Sequence, residues 1–335
     1  MSTNVSELLR RKVLWVPVGL VALLALPLMT SSFLTFQLTL VLVWALAALA
    51  TNLLMGFGGQ MSIALNAFFG LGAYAAGVLH RQLELPFLVT AVVAVGAAFL
   101  GGALLSMSTA RLKGLYLCTA TLAVGIVAPL FVSKWEHITG GDAGLVVPVP
   151  GAPAWSGLLP DQWRYYATLV PVVLIFWWTG NLMRGPLGRA ICALRDSELV
   201  AGTQGVDTPR VKVLLGAYSS AMAALAGALY VMSVGVISPA TIPVLLSISF
   251  IVASVVGGIA TIWGALIGGV FLQFAPRLAS EIDPLAGGML YGLIMIVFIL
   301  FAPAGVVGLL RGFLERRKAP DPEPEEVSIP VYETS

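Results

Sequence analysis

The sequence predicts an all-α integral membrane protein of about ten transmembrane helices, with both termini cytoplasmic. Three observations carry that expectation. The chain has a mean hydropathy of +0.96 and only 10% charged residues, where a soluble protein carries about 25%. Apolar runs of about 20 residues, the length that crosses a bilayer, recur along it. Lysine and arginine fall unevenly between alternate loops, as the positive-inside rule requires.

The runs lie at roughly 13–31, 34–54, 61–79, 86–107, 115–132, 165–180, 213–234, 243–258, 262–277 and 288–310. The first follows Arg10, Arg11 and Lys12, is long enough to span, and has no A-x-A-like site after it. It reads as a retained helix rather than a cleaved signal peptide. The runs at 61–79 and 262–277 are short and rich in glycine. With the N-terminus inside, the inner segments hold Arg10, Arg11, Lys12, Arg111, Lys113, Arg184, Arg189, Arg195, Arg210, Lys212, Arg311, Arg316, Arg317 and Lys318. The outer segments hold only Arg81, Lys134, Arg164 and Arg277. The chain divides into a membrane domain, 1–312, and an acidic, Pro-rich tail, 313–335, expected to be disordered in the cytoplasm. Two loops are long: an outer one at 133–164 and an inner one at 181–212.

Absences narrow the chemistry. No G-x-x-x-x-G-K-S/T, G-x-S-x-G or H-E-x-x-H motif occurs, so neither nucleotide hydrolysis nor any other catalysis is expected. Cys118 and Cys192 make no disulfide framework, and His80 and His137 stand outside any ligand cluster, so no metal or cofactor is expected. Every Asp and Glu falls in a loop, a helix end or the tail. The spans hold only mild polar residues such as Gln37, Asn52, Asn66, Thr119, Thr121, Ser254 and Gln273. Coupled transporters usually carry ionisable groups within their spans. If this chain moves a solute uphill, the energy enters from outside the membrane domain. A stand-alone secondary transporter that binds sodium through carbonyls and hydroxyls is the alternative.

Rows of small residues mark helix faces that can approach closely: Ser219, Ala223 and Gly227 in one span, Gly70 and Gly77 in another, Gly264, Gly268 and Gly269 in a third. The turns MGFGGQMS (55–62) and VVGGIATIWG (255–264) join spans without charge. They read either as broken helices beside a translocation path, where freed backbone groups are covered by protein or water, or as ordinary tight turns. The inner loop predicts one helix over 188–204, ended by Gly205 and followed by Asp207, Thr208 and Pro209. Its mixed charges and small residues suit a helix laid in a partner's groove. An inert connector and a lipid-surface helix are the other two readings.

Eight stretches in order, covering roughly 35–312, resemble the LivM-type permeases of branched-chain amino acid ABC importers. They are GFGGQMSIALNAFFGLGAYAAGVL (56–79), RLKGLYLCTATLAVG (111–125), ITGGDAGL (138–145), GRAICALRDSELVAGTQGV (188–206), LAGALY (225–230), ISP (237–239), VVGGIATIWGALIG (255–268) and FAPAGVVGLL (301–310). The resemblance implies a permease subunit in the bacterial inner membrane, paired with a second permease. Two cytoplasmic ATPase subunits would drive the pair and a periplasmic binding protein would feed it. It implies branched-chain amino acids as substrate, with urea or short amides as the second class. It makes the inner loop a coupling element matched at Arg189, Ala193, Arg195, Glu198, Ala201 and Gly205. There Arg195 and Glu198 would contact the ATPase, Ala201 would allow close approach and Gly205 would make the turn. It places Gly56, Gly58, Gly59, Gln60, Ser62, Asn66, Thr119, Thr121, Gly257 and Gly258 along the translocation path. Thr139, Gly140, Gly141 and Gly144 would meet the binding protein. The chain departs from the family pattern at Ser197, where Asn is common, at Gly202, where Ala is expected, and at Asn66, where a small residue is more frequent.

Overall fold

The computed structural model describes residues 23–301 apart from 113, 154–156 and 284–285, together with 305 and 308. The tail at 313–335 and most of the first expected span lie outside the described residues; of that span a helical stretch at 23–29 is described.

The regular structure of the described residues is helical, apart from one pair of two-residue strands. Helix α1, Ser32–Thr51, starts where the Ser31 hydroxyl accepts from the Leu34 amide at 3.5 Å. It is apolar on every side, which suits a helix at the centre of a bundle, and Val43 and Ala45 to Ala50 are fully buried. A π-helical turn, Asn52–Phe57, continues it. Helices α8 (Thr208–Val234), α10 (Gly264–Ile282) and α9 (Val244–Gly257) pack on it, α9 also packs on α10, and α2 (Leu65–Leu83) packs on α8 and meets α1 where Trp44 stacks on Phe69. Helices α3 (Phe87–Thr109) and α5 (Pro160–Arg184) lie further out, α3 against α8 and α2, and α5 against α1. Helix α4 (Leu115–Lys134) is the most exposed, with Thr121 and Gly125 its buried residues. Helix α11 (Gly287–Phe301) closes the described chain.

A helix lies over each expected span from 34–54 onward. Among the described residues, six helices are long and apolar enough to cross a membrane: Ser32–Phe57, α3, α4, α5, α8 and Pro239–Gly257. Helices α2 and α10, 19 residues each, carry polar residues near their ends, among them His80 and Arg81, and Arg277 and Glu281. The expected span at 61–79 is displaced, because residues 58–64 are not helical and α2 begins only at Leu65.

The small-residue rows are packing faces. A Cβ on Gly227 would strike the Phe69 carbonyl, one on Gly72 would strike Ala224, and one on Gly269 would lie 2.6 Å from the Val41 carbonyl. Helix backbones meet closely in lipid where such residues face each other.

Two loops need correction or detail. The inner loop does not form the single helix expected over 188–204. It forms α6 (Pro186–Asp196) and α7 (Glu198–Thr203), with Ser197 extended between them at φ −161° and ψ 117°. The Ser197 hydroxyl accepts from the Val200 amide at 3.4 Å. Serine competes with the helix ladder for backbone partners and is better placed as a cap than inside a helix. In the outer loop, strand β1 (Leu145–Val146) pairs antiparallel with β2 (Val236–Ile237), Leu145 opposite Ile237.

Candidate functional site

The two glycine-rich turns are breaks in the helical ladder, and they touch each other. In the first, the π-turn widens the end of α1 until the Gly58 amide reaches Leu53 at 3.1 Å and the Gln60 amide reaches Leu54 at 3.0 Å. The chain then runs without helix to Leu65. Gly59 sits at φ +65°, open to glycine at no steric cost. In the second, α9 ends at Gly257, Gly258 sits at φ +121°, and Ala260 takes the left-handed region at φ +58°. Gly257 and Gly264 meet backbone to backbone, so a Cβ on either would strike the other.

Asn52 joins the breaks. It stands on the π-turn of the first and is fully buried. Its Oδ1 accepts from the Ala260 amide at 2.9 Å, and its Nδ2 donates to the carbonyls of Thr261 at 2.8 Å and Gly258 at 3.3 Å. Unwinding a helix frees backbone groups that apolar surroundings cannot satisfy; one amide side chain takes three of them. Asn66 plays a similar part at the start of α2. Its Nδ2 donates to Gly125 of α4 at 3.0 Å and to Ile242 at 3.1 Å, and its Oδ1 accepts from Ser247 of α9 at 2.9 Å.

The residues assigned to the path separate on this geometry. Gly56, Gly58, Gly59, Gln60, Ser62 and Asn66 all lie on the first break, and Gly257 and Gly258 open the second. Thr121 belongs with them, since its hydroxyl accepts from the Ile63 amide at 3.1 Å. Thr119 does not: it is exposed on α4 and its hydroxyl donates to Leu115 at 2.9 Å. The Gln60 amide nitrogen is buried without a hydrogen-bond partner.

The inner loop lies against the first break. A Cβ on Gly59 would stand 3.4 Å from the Arg195 Cα and 3.2 Å from its Cγ. Ile191, Leu194 and Ala201 are buried against the bundle, while Arg189 and Arg195 are exposed and Ala193 is half-buried. Glu198 does not stand free for a partner. Its carboxylate accepts from Lys212 Nζ at 2.7 Å, and Lys212 also donates to the Ala110 carbonyl at 3.3 Å. This ties α7 to the root of α8 and the end of α3. Gly205 turns the chain at φ +83°. Leu199 and Val200, which motif reading passes over, are 79% and 54% exposed and give this element an apolar edge.

On the outer side, Thr139 and Gly141 are buried. The Thr139 hydroxyl donates to Val132 at 2.7 Å and to Trp135 at 2.8 Å and accepts from the Gly141 amide at 3.2 Å. Gly140 packs on the Gly144 carbonyl, and Gly144 at φ +81° would place a Cβ 2.6 Å from the Ile237 carbonyl. The four residues fold the loop back toward β2. The polar groups exposed beside them are Glu136, His137 and Asp142.

Residues 33–300 match the family model described as branched-chain amino acid transport system / permease component. The high-affinity branched-chain amino acid transport system permease protein LivM of Escherichia coli K12 is 28% identical over 319 residues, covering 87% of this chain and 75% of that protein. LivH of Salmonella typhimurium is 24% identical over 283 residues, covering 79% of this chain and 91% of that protein. Among solved structures, PsaBC from Streptococcus pneumoniae in complex with Fab matches with a TM-score of 0.43 and 14% identity, covering 84% of this chain and 96% of that one. The match to the family model runs through both breaks, the inner loop and the outer loop, and the chain belongs to the family of branched-chain amino acid transport permease components.

Proposed function

We propose that the chain is one permease subunit of an ATP-driven importer of branched-chain amino acids, crossing the bacterial inner membrane ten times with both termini cytoplasmic. A second permease forms the translocation path with it. Two cytoplasmic ATPase subunits drive the pair, and a periplasmic binding protein delivers the substrate to the outer loop.

The observation that carries this reading is the seat of α6 on the first break. The exposed face of α6 and α7 is free to meet a soluble partner, while Arg195 rests on Gly59. A push on that face therefore reaches the first break, and Asn52 passes it to the second. Among the described residues the spanning helices carry acidic groups only at their ends, Asp161 and Glu281, so drive from an outside ATPase is the economical source of energy.

The test is reconstitution of the chain, with the partners that co-purify from its own membrane, in liposomes loaded with ATP. Leucine uptake should require both ATP and the binding protein. Uptake by the chain alone without ATP would overturn the subunit reading and favour the secondary transporter.

A further inference from the structure

Away from the breaks, the bundle has an apolar recess on its outer face. Helices α3 and α5 both pack on α8 and leave a channel between them. Tyr218 and Met222 floor it, Val95, Gly96 and Phe99 wall one side, and Ile175 walls the other. Its volume is about 560 Å³, within the roughly 300–1,000 Å³ of small-molecule pockets. The Tyr218 hydroxyl is paired with Thr179 at 2.9 Å, so the recess offers apolar surface alone. The recess is open beside Gly96, where a Cβ would meet nothing within 4 Å.

Two features choose the occupant. The three lining helices are all long and apolar enough to cross a membrane, so the recess opens to hydrocarbon. All three also place an exposed arginine at the same end of the bundle: Arg111 just past α3, Arg184 at the end of α5, Arg210 in the first turn of α8. Arg210 is paired with Asp207 at 2.9 Å. From Ile175 to Arg184 the helix rises about 14 Å, close to half of the roughly 30 Å hydrocarbon core. The arginines therefore stand at an interface when the recess stands near mid-bilayer. Basic groups at that position attract anionic headgroups.

We propose that this recess holds an acyl chain of an anionic phospholipid whose phosphate sits at Arg111 and Arg184. The full chain, purified in detergent, is titrated with dioleoyl phosphatidylglycerol or dioleoyl phosphatidylcholine, and bound lipid is counted by native mass spectrometry. Phosphatidylglycerol should bind about tenfold more tightly, about 1.4 kcal/mol. Gly96→Phe should cut retention of both lipids at least fivefold, and Gly96→Leu serves if the larger ring disturbs folding. Arg111→Gln with Arg184→Gln should abolish the preference and leave phosphatidylcholine binding unchanged. Equal binding of the two lipids, or undiminished retention by a folded Gly96 variant, overturns the proposal. So does capture of a protein chain rather than lipid by a photo-crosslinker at Leu100 in the membrane complex.

Discussion

The two breaks are both glycine-rich and uncharged, and they are held in different ways. The second, 258–263, is short, and the buried Asn52 amide binds its backbone at three points. The first, 58–64, is longer, and between the π-turn and Ile63 its side is open: Gly59 and Met61 are exposed, and Gln60 and Ser62 are half-buried. Its near end is held by the Gly59 and Gln60 amides on the π-turn carbonyls of Met55 and Leu54, and its far end by Thr121 and Asn66, with Arg195 lying on Gly59. A segment capped along its length resists displacement, and one held only at its ends yields first. Under the proposed function, the second break would serve as the fulcrum and the first as the part that moves.

The sharpest way to break this contrast is Asn52→Leu. The change strands the Ala260 amide and the Thr261 carbonyl, each worth roughly 1–3 kcal/mol, while the Gly258 carbonyl keeps the Thr261 hydroxyl at 2.7 Å. Thermal unfolding should show a loss of several kcal/mol, with transport abolished. A variant that melts like the parent would remove the fulcrum. Next is Lys212→Met, which leaves the Glu198 carboxylate without its 2.7 Å partner. The loss should be about 1.5–3 kcal/mol, the worth of a charge-assisted hydrogen bond. ATP hydrolysis by the assembled complex should persist while leucine uptake falls, read as moles of substrate per mole of ATP. Gly59→Val puts a branched side chain at φ +65° against Arg195. The left-handed conformation costs an L residue roughly 1–2 kcal/mol. Expression should survive and uptake should fall at least tenfold; unchanged uptake would mean that the first break does not move. The smallest effect is expected at Thr119→Val, within about 0.5 kcal/mol as for other surface positions, with uptake unaltered. Thr121→Val, which removes the acceptor for Ile63, supplies the contrast on the same helix.

The legible part of this fold was its periodicity and composition. Long apolar runs located the helices, and glycine clusters located both breaks. What stayed hidden depends on direction and distance. Thr119 and Thr121 are two residues apart, which on a helix sets them on nearly opposite faces, and a list of mild polar residues cannot say which faces inward. Asn52 looked like one polar residue in an apolar run, because its partners lie more than two hundred positions away. Lys212 and Glu198 are 14 residues apart, and they meet only because Ser197 and Gly205 fold the loop back on itself. Ser197 was seen as a departure from the family pattern, though not as the residue that divides the helix. The glycines of the outer loop were placed on the binding-protein surface. Their positive φ angles and the Thr139 hydrogen bonds shape that surface, on which Gly140 stays exposed beside Glu136, His137 and Asp142.

The buried amide of Asn52 also sets a clock. Ala260 lies outside any helix, and a backbone amide in such a position normally exchanges its hydrogen within seconds to minutes of immersion in deuterated water. Here that hydrogen is held by an oxygen that solvent does not reach. It should be released only by the opening that frees the whole α9–α10 hairpin, so a residue without regular structure becomes one of the slowest reporters in the protein. The amides of Met61 and Ser62, beyond the last π-turn hydrogen bond at Gln60, should label first. The interval between the two, followed with and without ATP, would time the working stroke from inside the membrane.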